Sequence, residues 1–179
     1  MGKFGDRLFG MLLRVTDCAE IHHPAEPNRK PKIYIADSVS PREKAAVAGA
    51  LKCFVILSEE EHRSSAVLRT INPRRVITAN GGLNTEWLHE ALGRLKQGGS
   101  IIAFSGSVGY GGAVLLSLLS GAEIVPLHSI RRRTLFQRHS VKVGEPIVPN
   151  GGAALSSEWV NSEVLRVNKA MSAIKEALP

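Results

Sequence analysis

Cysteine and aromatic residues are scarce in this chain. Cys18 and Cys53 are the only two thiols among 179 residues. They form no Cys-x-x-Cys, which excludes a zinc site built on cysteine and suits a reducing compartment. Aromatic residues make up 5% of the sequence and are not interleaved with basic ones, so a platform that stacks single-stranded bases is not expected. No apolar run reaches the roughly 20 residues that a bilayer-spanning helix needs. The apolar stretch after Lys3 is broken by Asp6, Arg7 and Arg14, so no signal peptide is read there. Helix-turn-helix, RNP-like and zinc-finger patterns are missing, which argues against sequence-specific nucleic-acid binding. Gly106, Gly109, Gly111 and Gly112 do not have the Gly-x-Gly-x-x-Gly spacing, no Gly-Lys-Ser/Thr follows them, and Ser107 is not framed as Gly-x-Ser-x-Gly.

The composition that is present, 44% hydrophobic and 22% charged, fits one ordinary domain over residues 1–179 with a real core. A formal charge of +7 predicts attraction to polyanions, either nucleic acid or an anionic lipid surface. Within an expected N-terminal helix over residues 1–18, Phe4, Leu8, Met11, Leu12 and Val15 share one face. Such a helix packs on its own domain or lies in a membrane interface. A proline-rich linker follows, from His22 to Pro31.

Alternation of short and long apolar segments then predicts an α/β fold, a mainly parallel sheet flanked by helices. Lys32–Ala36, Cys53–Leu57, Arg75–Ala79, Ile101–Phe104, Glu123–Leu127 and His139–Val143 read as strands. Ser40, Pro41 and Glu43 form a helix start with a capping box, opening a helix over Arg42–Leu51. Thr85 is expected to cap a helix over Glu86–Lys96, Ala113–Leu119 forms another, and residues 157–178 form the last. A short helix opens at Glu59–Arg63 and stops before Pro73.

The stretch Gly99–Leu127 organises the rest: a strand apolar on every side, a small-residue loop from Ser105 to Gly112, a helix and a second strand. Ligands of parallel sheets collect at the carboxyl ends of strands, which points to Ser105, Gly106 and Ser107. Glycines let backbone approach a ligand, and the amides opening the next helix suit a phosphate or carboxylate. The alternative is a tight turn that needs small residues for packing. His22, His23, His62, His89, His128 and His139 are read as surface or structural, since none has a nearby orienting carboxylate in sequence, although His128 leaves the last core strand close to the same sheet edge. No metal site is expected.

The segment order from roughly Leu8 to Leu178 resembles the lysophospholipid and glycerol-phosphate acyltransferase family, the PlsC-like domain. Four segments carry the likeness. Lys32-Ile33-Tyr34-Ile35-Ala36-Asp37-Ser38-Val39-Ser40 is similar to the family's strand running into Asn-His-x-Ser, and Glu43 falls where the family has its Asp. Leu92 to Phe104 resembles the approach to the family's Phe-Pro-Glu-Gly. Gly121 to Leu127 resembles its Val-Pro strand, and Val141 to Ile147 its closing strand and turn. The resemblance implies a His acting as general base on an acceptor hydroxyl, with the Asp orienting the imidazole. Here those positions are Ser38 and Glu43, Pro-Glu-Gly is Ser105-Gly106-Ser107, and Asn80-Gly81 stands where members offer an Arg for the acceptor phosphate.

Three readings follow from this resemblance and the loop. The first is an acyltransferase-like domain of phospholipid metabolism that has lost the His/Asp dyad and acts as a lipid- or acyl-binding or regulatory pseudo-enzyme. The second is an active transferase using non-standard residues. The third is a phosphate- or small-molecule-binding module using the Ser105–Gly112 loop. No resident cofactor is implied; acyl-CoA or acyl carrier protein is the expected substrate or ligand. Expected partners are a phospholipid or acyl-chain ligand, an anionic membrane surface, and a protein partner or second copy, with the chain cytoplasmic and peripheral on the inner face. The basic groups Arg42-Lys44, Arg74-Arg75 and Arg131–Arg133 are expected to add about 1 kcal/mol per charge beside an anionic leaflet.

Overall fold

The computed structural model describes residues 18–22, 30–37, 40–80, 85–132, 138–148 and 156–176. The expected amphipathic helix, apart from Cys18, lies outside them, as do Ser38, Gly81 and Arg133.

The described strands are β1 (Cys18–His22), β2 (Lys32–Ala36), β3 (Phe54–Ser58), β4 (Val76–Ala79), β5 (Ile101–Phe104), β6 (Glu123–Arg132) and β7 (Arg138–Val143). The helices are α1 (Pro41–Leu51), α2 (Glu59–Ser64), α3 (Glu86–Lys96), α4 (Gly109–Ser120) and α5 (Ser157–Glu176). All seven strands join one sheet in the order β1-β7-β6-β2-β5-β3-β4. Every pairing is parallel except β6 with β7.

Two apolar clusters sandwich the sheet. On one face Ile33, Ile35, Ile101 and Ile124 pack under α3, α4 and α5 through Leu95, Leu116, Val167 and Met171. On the other, Val55, Ile102, Phe104 and Leu127 pack under α1 and the turn after α2 through Val47, Ala48 and Leu68. All four residues of β5 are buried, as expected of a strand covered on both sides.

The helix starts obey local chemistry. Ser40 caps α1 and Glu43 returns the bond, its Oε2 accepting from the Ser40 amide at 3.0 Å and hydroxyl at 2.8 Å. Ser58 and Glu61 build a second capping box on α2. Thr85 precedes α3 without a side-chain cap bond.

Three sequence expectations are corrected. Cys18–His22 is an edge strand paired with β7, not the end of a helix and the start of a linker. Five residues alternating Ala19 and Ile21 with Glu20 and His22 carry too short a period-two signal, and the pairing partner lies far along the chain. β6 runs five residues past Leu127, because its second half pairs with β7 while its first half pairs with β2. The glycine loop is a turn of residues 105–108, and Gly109–Gly112 already form the first turn of α4.

Candidate functional site

The chain leaves β2 toward α1 on one face, whereas it leaves the adjacent β5 toward α4 on the other. A crevice opens at the carboxyl ends of neighbouring strands whose connections part in this way. At that end the Ser105 amide donates to the Ala36 carbonyl at 2.9 Å, continuing the β2–β5 ladder one residue past Phe104. The segment entering Ser38 and the turn holding Ser105, Gly106 and Ser107 thus meet at one edge, although Ser38 itself is outside the described residues.

Two polar clusters flank the crevice, one on each face. On the α4–α5 face the Tyr110 hydroxyl donates to Asp37 Oδ1, and Lys175, near the end of α5, forms an ion pair with Asp37 Oδ2. Burial pushes the Asp37 carboxyl up, but hydrogen bonds from Lys175 and Tyr110 outweigh it and leave the group below its ordinary value. The Tyr110 hydroxyl is raised by burial and by the same carboxylate. His128, half-buried, feels this cluster. Burial and the Lys175 and Lys142 ammonium groups lower its pKa, opposed by Asp37 and Glu43. It is therefore a neutral imidazole near pH 7, with carboxylates close enough to act on it. Strand register, invisible in a linear string, brings Asp37 to the strand end beside His128.

On the α1 face Lys44 is 1% exposed. Its Nζ donates to Glu61 Oε1 at 2.5 Å and lies 5.0 Å from the centroid of the Phe104 ring. The Ser107 hydroxyl donates to Glu61 Oε2 at 3.1 Å. Burial raises the Glu61 carboxyl, but Lys44 and Ser107 hold it below its ordinary value. The carboxylate that meets the turn after Phe104 thus comes from α2, a contact the sequence reading did not contain.

The remaining expected residues are placed as follows. Gly106 and Asn80 are exposed. Arg131 lies on the extension of β6, in register with His139 of β7. Among the basic groups read as membrane-facing, Lys44 is buried, and Arg75 is turned inward, donating to the Cys53 carbonyl at 2.7 Å and the Ala48 carbonyl at 2.6 Å. Arg42 and Arg74 are exposed. Among the described residues no group of three His, Cys, Asp or Glu side chains is placed to hold a metal ion, and no helix is long and apolar enough to cross a membrane.

Layered helices on a mainly parallel sheet, with polar side chains at its carboxyl edge, define the class: a helix-flanked α/β sandwich. Among solved structures the chain is similar to the crystal structure of the 1-acyl-sn-glycerophosphate (LPA) acyltransferase PlsC from Thermotoga maritima. The identity is 17%, the TM-score is 0.62, and the match covers 97% of this chain and 78% of that one. No family model matches the sequence, and no curated protein matches it. At this identity the likeness shows the fold.

Proposed function

We propose that the chain handles an acyl-chain or phospholipid ligand at the carboxyl edge of its sheet, on an acyltransferase-type scaffold from which the conventional dyad has gone. The observation that carries this reading is the fold likeness, combined with the convergence at one crevice of the segment entering Ser38 and the turn after Phe104. Ser38 has no basic lone pair near neutrality. Glu43 is bound into the Ser40 capping box. A lost dyad leaves acyl binding intact, since burial of each methylene contributes about 0.8 kcal/mol and needs no catalytic group. In its simplest form the chain is a lipid-binding or regulatory pseudo-enzyme, or a partner for an active enzyme, at the cytoplasmic face of an anionic membrane. Arg42, exposed at the start of α1, then faces the leaflet.

A second reading, an active transferase with non-standard residues, is favoured by the neutral imidazole of His128 beside Asp37. A third, a phosphate-binding turn, is weakened because Tyr110, on the first turn of α4, is bonded to the carboxylate of Asp37.

A native mass spectrum of the purified protein tests the first reading. A retained lipid or fatty acyl species supports it. A retained nucleotide or sugar phosphate in its place favours the third.

A further inference from the structure

Resting on the second reading, that of an active transferase, we infer that the proton acceptor of this scaffold has moved one strand sideways, so that His128 of β6 takes the proton from an acceptor hydroxyl during acyl transfer. The argument begins with register. β2 and β6 run parallel with Ala36 opposite Leu127, so the next residues, Asp37 and His128, leave the pair side by side. Ala36 and Leu127 both face the α1 side. Strand alternation therefore turns Asp37 and His128 to the other face, which is where Asp37 meets Tyr110 of α4 and Lys175 of α5. His128 is thus on the strand next to Ser38 and at the same end of the sheet.

The imidazole has the properties this work needs. It is half-buried, hence both sheltered and reachable. The charged groups that act on it are Asp37 after β2, Glu43 on α1, Lys142 on β7 and Lys175 on α5, while α4 brings Tyr110 to Asp37. Burial first, and then the ammonium groups, keep the resting ring neutral, and the carboxylates stabilise the imidazolium that forms in the reaction. In the step itself, the hydroxyl oxygen of the acceptor bonds to the thioester carbonyl carbon while its proton passes to a ring nitrogen of His128. The carbon–sulfur bond then breaks, and the leaving thiolate takes that proton back. The products are an ester and a free thiol, with no change of oxidation state.

The experiment uses the full chain with labelled oleoyl-CoA and 1-oleoyl-glycerol 3-phosphate, following both ester formation and the melting temperature. The expected result is turnover above the protein-free background that falls at least about 100-fold in His128→Gln. In His128→Ala, added imidazole restores part of it. The rate rises with pH through a value below the ordinary 6.5 of histidine. In Lys175→Gln that midpoint moves upward, because a cation beside the ring has been removed, a shift that a merely structural histidine does not produce. Turnover that persists in His128→Gln, or a Lys175→Gln profile that stays in place, overturns the inference. If oleoyl-CoA raises the melting temperature but nothing is turned over, the relocated base is wrong and lipid handling stands. If oleoyl-CoA neither binds nor reacts, the lipid reading falls and this inference with it.

Discussion

Lys44 shows how little a side chain's charge says about its place. In sequence it belongs to a basic cluster suited to a membrane surface; in the fold it is 1% exposed and satisfied by Glu61 and the Phe104 ring. Removing one partner of such a pair leaves the other poorly solvated. Because Glu61 is a third exposed, Lys44→Ala is expected to cost about 2 kcal/mol rather than the full penalty of a buried pair, read as a lowered urea midpoint. The pH dependence has a definite sign. Asp37 and Glu61 both titrate below their ordinary values in the fold, so their pairs stabilise it above the carboxylate range and lose that contribution as pH falls through the folded values. Stability should decline below about pH 4, and the decline should be shallower in Glu61→Gln, which starts lower at neutral pH. Burial, opposed weakly by Arg75, pushes the Cys53 thiol up to about 12. Iodoacetamide at pH 8 should therefore leave Cys53 unmodified until the chain unfolds, as peptide mapping will show. Ser38 and Glu43 are site positions only through the resemblance, and Ser38 lies outside the described residues. His128 was legible at the sheet edge, but its grouping with Asp37, Tyr110 and Lys175 was not, because strand register and two helix ends bring them together.

Elements written in local chemistry were legible almost to the residue. The Ser40-Pro41-Glu43 start of α1 and the two ends of β5 depend on neighbours in the chain, and the structure has them as expected. Ser40→Ala should cost α1 about 1 kcal/mol, measurable by urea unfolding, while Glu43→Gln keeps the capping box and much of the stability. Elements written in distant pairing were not legible. β1 exists through β7, and the far half of β6 through the same strand. A related close approach fixes α5: a Cβ on Gly144 would lie 2.3 Å from Ile174 Cδ1 and 3.0 Å from Pro126 Cγ. The Gly144 amide also donates to the Pro126 carbonyl at 2.8 Å. Gly144→Ala should push α5 off the end of β6 and cost about 1–3 kcal/mol. Since Lys175 follows Ile174, the variant should also loosen the contact with Asp37, seen as faster amide exchange at the end of α5.

For the molecule as a whole, the alternation of strands and helices was enough to read a mainly parallel sheet between helix layers, and the segment order was enough to point to the acyltransferase scaffold, which the solved structure matches in fold. Chemistry at the edge of that scaffold was only partly readable. The resemblance reads Ser38 where the family has its base and the string puts His128 near the same edge, but only strand register sets Asp37 beside that histidine. The claim on which the account rests is that this edge receives an acyl ligand. Titrating the purified chain with oleoyl-CoA while following thermal unfolding tests it directly. Saturation at about 100 times Kd should add about 2.7 kcal/mol, a rise of roughly 5–10 °C for a chain of this size, while nucleotides and sugar phosphates leave the transition in place. An unchanged transition with oleoyl-CoA would contradict it.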